Sequence, residues 1–159
     1  MTSEHKLNIT EMFQVGRDFY DCAYMCKMSC INPKCDAKVL AVPEAVNFAF
    51  SCEIFLKTLL HLNSVSYKRG HKLEELFNAL PERYKTNIIQ QCTKTYEDSE
   101  ETFDMGFLSN VSDSFEKWRY CYEQDNQPLK IGFLYVFAGI LKELCENEIL
   151  YKSLGIGEN

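Results

Sequence analysis

The chain has 159 residues, which is enough for one domain with a substantial core, and 46% of them are hydrophobic. Its formal net charge of −6, with acidic and basic residues mixed along the chain, argues against a broad basic surface for nucleic acid. A small local basic patch is still compatible with this composition.

The eight cysteines are many for this length. The opening residues lack the apolar stretch of a secretory signal, so we expect reduced thiols rather than a disulfide framework. The longest strongly apolar run covers residues 131–141, which is shorter than the roughly 20 residues that span a bilayer. We therefore expect a cytoplasmic protein without a membrane segment.

Helical periodicity dominates the sequence, and no convincing pair of strands is present. Residues 1–8 and 153–159 are expected to be loose tails of a single domain covering residues 1–159. Helices are predicted over approximately residues 10–28, 43–62, 72–80, 81–96, 103–123 and 129–151. Residues 29–42 are predicted to form a connection, because Pro43 suits the first turn of a helix. The fold class is all-α, an antiparallel up-and-down bundle of about five to six helices.

The segment 43–62 is predicted to be the central helix of this bundle. One broad side is apolar, and the opposite side also carries Val46, Phe50 and Ile54. Such a helix is normally packed on two sides, here against a further helix or another subunit. The start of the last helix, residues 131–141, is apolar nearly all round. These two surfaces together predict a homodimer.

Four cysteines lie close together within and just after the first predicted helix: Cys22, Cys26, Cys30 and Cys35. Four thiolates can bind zinc, but Cys22 and Cys26 share the helical phase of Val15 and Phe19. Free cysteine packs well as a small apolar residue. We therefore expect these thiols in the core, and neither a metal nor another cofactor.

No phosphate-binding glycine loop is present, so attention falls on the charged residues of the helices. Glu53 and Lys57 lie four residues apart in the order that favours a helical ion pair, which would be partly buried on so apolar a helix. His71 follows Gly70 at a helix entry. It is either a locally bonded residue or a titratable group at the mouth of a cleft. The sequence favours local bonding, since it identifies no partner.

Residues 115–123 form the chemically densest stretch of the chain. Arg119 has Glu116 three residues before it and Glu123 four residues after it. It is either locked by these carboxylates while its stem packs on aromatic rings, or it binds a phosphate or an acidic partner. Both interpretations fit an arginine at the edge of an apolar face.

Three segments together resemble the HEPN superfamily of small helical bundles: residues 51–60, residues 70–76, and the late helix with Arg119 and Tyr122. The resemblance implies a bundle of four or five helices, often paired as a dimer. Relatives include RNA-cleaving toxins and parts of bacterial toxin–antitoxin and phage-defence systems. Active members carry R-x(4–6)-H on a late helix. Here Arg119 matches the arginine, but no histidine follows it, and Tyr122 and Glu123 occupy that neighbourhood.

The resemblance therefore predicts a non-catalytic or divergent HEPN-like module that binds RNA, a nucleotide or a protein partner. A first alternative is a divergent metal-independent RNase that uses Arg119 with Tyr122, Glu123 or His71. A second is a purely structural protein-interaction domain. The candidate binding residues are Arg119, Tyr122, Glu123, His71, Glu53 and Lys57.

Overall fold

A computed structural model describes residues 7–30, 37–97, 103–104, 106–112 and 130–155 of the chain. Within these ranges every regular element is a helix. The helices are α1 (Ile9–Cys30), α2 (Ala37–Leu62), α3 (Leu73–Asn78), α4 (Glu82–Tyr96), α5 (Gly106–Ser112) and α6 (Ile131–Ser153). The predicted all-α helical bundle is confirmed.

Helix α2 is the centre of the bundle. Phe48, Phe55 and Leu59 are among its fully buried side chains. Helix α1 packs along one side, where the rings of Phe19 and Phe50 stack with their centroids 5.0 Å apart. Helix α6 packs on α2 as well, and its Cys145 Sγ lies 3.4 Å from the carbonyl oxygen of Phe55. A further helix, α1, therefore covers the second side of α2.

The start of α2 corrects the predicted connection 29–42. The helix begins at Ala37, and Pro43 lies inside it rather than in its first turn. Leu40, just before the proline, lines a groove together with α1 residues, so this part of α2 lies beside α1. The backbone carbonyl oxygen of Pro43 accepts a hydrogen bond of 2.8 Å from the side-chain amide of Asn47. Tertiary packing here outweighs the local preference for proline at a helix start.

The remaining boundaries agree with the sequence to within a few residues, as helix ends usually do. Pro81 forms the N-cap of α4, as its predicted position at the start of that helix suggested. Of the predicted helix 103–123, the described part contains α5, and residues 113–129 lie outside the described ranges.

The buried face of α1 differs from the predicted one. Phe13, Gly16 and Ala23 face the core, whereas Val15 is 42% exposed and Cys22 is exposed. The reason is close approach of the two helices at Gly16, where an added Cβ would lie 2.7 Å from Phe55 Cε1. Small residues thus shape the contact face, and a search for large apolar residues locates it only in part, since Phe19 packs on Phe50 whereas Val15 is exposed.

The apolar start of α6 is largely covered within the chain. Phe133, Leu134, Phe137 and Ala138 are all buried. One chain therefore covers most of both surfaces from which the homodimer was predicted. The stretch Leu40–Leu62 is the one described segment long and apolar enough to cross a membrane, and 67% of its most apolar window is buried inside the bundle. That burial is typical of a core helix in a globular domain.

Candidate functional site

Glu53 contacts two side chains from different parts of the chain, those of Lys57 and His71. Its Oε1 lies 2.6 Å from Lys57 Nζ and 2.9 Å from His71 Nδ1. The Glu53 side chain is only 7% exposed, whereas that of His71 is 63% exposed. The carboxylate is thus an internal counter-ion beneath a histidine that solvent and ligands can reach. We call Glu53, Lys57 and His71 the Glu53 site.

This contact sets the direction of the hydrogen bond at Nδ1 of His71. A carboxylate oxygen only accepts hydrogen bonds, so Nδ1 of His71 must donate to Glu53. Nε2 is then the ring nitrogen left for a ligand or for proton transfer. This is the same arrangement by which a carboxylate fixes the tautomer of a histidine in metal sites and in acid–base catalysis.

The turn that brings His71 back over α2 begins at the C-terminus of that helix. The amide of Val65 donates to the carbonyl of Leu60 (2.9 Å), and the amide of Ser64 donates to that of His61 (3.1 Å). Ser64 has a φ of 53°, so these bonds form a Schellman motif with Ser64 in the left-handed position. Val65 packs against the core and fixes the direction of the loop that follows.

A second contact holds the middle of this loop. The hydroxyl of Tyr67 and Nε2 of His61 are 3.1 Å apart. His61 lies four residues after Lys57 and eight after Glu53, so all three occupy one stripe of α2. Burial raises the pKa of Tyr67, the charge of Arg69 lowers it, and the charge of Glu53 raises it further. The charges of Arg69 and Glu53 thus both affect the pKa of Tyr67.

The loop segment between these two contacts is basic. We call residues 67–72 the basic loop, because it contains Lys68, Arg69, His71 and Lys72 and no acidic residue. All four of these side chains are exposed. Lys72 lies 3.7 Å from Glu75 on α3, but both groups are more than half exposed, so this pair is weak. A chain with a net charge of −6 therefore presents a compact positive surface at this point.

The loop is also tied to α4. Asn63 accepts a hydrogen bond of 2.9 Å from Arg83 and lies 3.1 Å from the Tyr84 hydroxyl. The side-chain amide of Asn63 in addition donates a hydrogen bond of 2.8 Å to the backbone carbonyl of Leu59. These bonds satisfy polar groups at the end of α2 and anchor the start of the loop.

The structure brings three of the six predicted site residues together. The predicted ion pair between Glu53 and Lys57 is present and partly buried. The expectation that His71 bonds locally is wrong, because its partner is Glu53, 18 residues earlier. Arg119, Tyr122 and Glu123 lie outside the described residues.

Sequence reasoning missed His61, Tyr67 and the basic loop as parts of a site. The spacing of Glu53, Lys57 and His61 on one helical stripe could have indicated His61. The run of basic residues after Tyr67 could have indicated the loop. Neither signal shows that the chain folds back onto α2.

The cysteines whose side chains the structure describes form no comparable site. Cys22 is exposed and Cys26 is half-buried, so the prediction that both face the core is wrong for Cys22 and only partly met by Cys26. Both line an open groove on α1 together with Asp18, Asp21, Met25, Ser29 and Leu40. No group of three or more histidine, cysteine or acidic residues in the described ranges is arranged to hold a metal ion. Cys35 and the side chain of Cys30 lie outside those ranges.

Fold and site together define an all-α bundle with a basic loop fastened to its central helix. No protein-family model, curated protein or solved structure matches the chain.

Proposed function

We propose that this protein is a non-catalytic, HEPN-like binding module that holds the phosphate groups of RNA or of a nucleotide on its basic loop. The observation that carries this proposal is the basic loop itself, which is held onto α2 by His61 at Tyr67 and by Glu53 at His71. The resemblance to the HEPN superfamily adds a setting, namely cytoplasmic bacterial defence or a toxin–antitoxin system.

The chemistry of the loop suits phosphate oxygens. Arg69 can present a planar fork of N–H donors to a phosphate, and Lys68 and Lys72 add point charges. Sequence-independent binding of nucleic acid rests on such contacts and weakens as salt is raised. With few cations in a single loop, we expect modest affinity and little sequence preference.

The test is fluorescence anisotropy with a short labelled single-stranded RNA. The double variant Lys68→Ser, Arg69→Ser should bind about tenfold or more weakly, since each charged hydrogen bond contributes roughly 1.5–3 kcal/mol. Lys94→Ser, which removes one exposed cation from α4, should bind like the wild type. Competition by a free nucleotide distinguishes a nucleotide site from an RNA site. Equal binding by both variants would refute the proposal, and no binding at all would favour the protein-interaction alternative.

The divergent RNase remains the second candidate, because of the contact between His71 and Glu53. A histidine oriented by a carboxylate is suited to proton transfer near neutral pH. Cleavage of RNA by the wild type that is lost in both Arg119→Ala and His71→Ala would establish this candidate. For the binding module, Arg119→Ala should instead weaken binding without any cleavage to lose.

A further inference from the structure

We infer that His71 binds its anionic ligand as an imidazolium that bridges Glu53 and the ligand, so that binding is coupled to proton uptake. This inference rests on the proposed function of the basic loop. It assigns Glu53 as the positioning residue of the site and adds a regulation of the site by pH.

The two ring nitrogens of His71 have different hydrogen-bonding roles. Nδ1 of His71 already donates to Glu53 Oε1 over 2.9 Å. A neutral imidazole carries a single N–H, so Nε2 can then only accept a hydrogen bond. A phosphate oxygen offers no proton to accept. Nε2 can therefore donate to a phosphate only when the ring carries a second proton.

Charged groups from α2, the basic loop and α3 surround His71. On α2 it meets Glu53, whose oxygen is shared with Lys57. Along the loop its charged neighbours are Lys68, Arg69 and Lys72, and from α3 comes the carboxylate of Glu75. The cations among these groups disfavour a positive charge on the His71 ring, whereas the two carboxylates favour one. A bound phosphate adds negative charge on the solvent side and so favours the imidazolium further.

Proton uptake accompanies binding only where the ring of His71 is neutral beforehand. In such a molecule one proton passes from the buffer to Nε2 when the ligand binds, and no covalent bond of the ligand forms or breaks. Glu53 stabilises the resulting imidazolium from the buried side, while the phosphate stabilises it from the solvent side. The affinity should therefore rise as the pH falls across the range in which histidine gains its charge.

The experiment is titration calorimetry with a short oligouridine RNA that lacks terminal phosphates. A terminal phosphate titrates near pH 6 and would obscure the proton count. The observed enthalpy is measured near pH 7 in buffers of different ionisation enthalpy. We expect the affinity to rise about threefold to tenfold between about pH 8 and pH 6, which corresponds to a mean uptake of about a quarter to half a proton per RNA bound.

Matched variants assign the proton. His71→Gln should retain binding through the basic side chains but lose both the proton uptake and the rise in affinity. Glu53→Gln keeps a hydrogen-bond acceptor without the charge and should take up markedly less proton. Glu146→Gln, which neutralises the carboxylate paired with Lys142 on α6, is the control for Glu53→Gln and should behave like the wild type.

The outcomes separate the two proposals. Binding by the wild type with no proton uptake, or uptake that survives in His71→Gln, would overturn this inference while leaving the binding function intact. Absence of binding at every pH would overturn the proposed function itself.

Discussion

Of the two contacts that Glu53 makes, only the one with Lys57 could be predicted from the sequence. Its pairing with Lys57 follows from helical spacing alone, because residues four apart meet on a helix surface. Its contact with His71 depends on a turn that reverses the chain between them. No local pattern reports such a reversal, so the sequence suggested local bonding for His71.

The thiols provide a prediction at the same scale. Burial raises the pKa of Cys92 to about 12 and also raises the pKa values of Cys52 and Cys145. The thiolate is the reactive form, so the exposed Cys22 should react with iodoacetamide in the native protein well before these three. Peptide mapping by mass spectrometry after brief and prolonged labelling checks this order.

Two further samples complete that experiment. Cys22→Ser should lose the fast-labelled peptide, and denaturation without a reductant should make all eight cysteines reactive. Rapid native labelling of Cys52 or Cys145 would contradict the burial of these thiols in the core.

At the scale of elements, the packing of α1 on α2 depends on a glycine. An added Cβ at Gly16 would lie 2.7 Å from the ring of Phe55, which is fully buried. Gly16→Ala should lower the free energy of unfolding by about 1–3 kcal/mol, measured by urea denaturation.

Gly139→Ala is the matched control for this substitution. The added Cβ there would meet the Tyr20 hydroxyl at an ordinary 3.7 Å. The variant should therefore be as stable as the wild type, or more stable by up to about 1 kcal/mol, because alanine favours the helix. Equal effects of the two substitutions would show that the helices do not approach closely at Gly16.

The turn after α2 gives a second prediction at this scale. Ser64 adopts a φ of 53°, a conformation that glycine takes without the steric cost of a Cβ. Ser64→Gly should raise the free energy of unfolding by roughly 0.5–1 kcal/mol. Ser66→Gly, two residues along the same loop, should leave it unchanged or slightly lower. A loss of stability in Ser64→Gly would argue against the left-handed turn.

The helices and the broad apolar face of α2 were predictable, and that face is buried, whereas the contact face of α1 was predictable only in part. Proline and polar residues indicate the start of α4 and the loop before α3, and long apolar periodicity indicates α2 and α6. The contact face of α1 depends on Gly16 and Ala23, whose small size matters only once a partner helix is in place. Helix propensity and periodicity carry no information about that partner.

For the whole molecule, the homodimer remains a prediction with a changed basis. The surfaces that suggested it are covered by α1 and within the bundle. Exposed apolar side chains of the described residues remain on α1, where Met25 is 69% exposed and Met28 47%. Light scattering at micromolar concentration should give twice the 18.5 kDa chain mass, and Met25→Asp should lower it. A monomer mass for the wild type would refute the dimer.

The central claim is that the basic loop, fastened to α2 at the Glu53 site, is where an anion binds. The most direct measurement is an NMR titration of ¹⁵N-labelled protein with short oligouridine RNA. We predict that the amide shifts change mainly in residues 67–72 and along the α2 stripe of Glu53, Lys57 and His61. Saturable changes centred around Arg119, with the basic loop unaffected, would contradict the account.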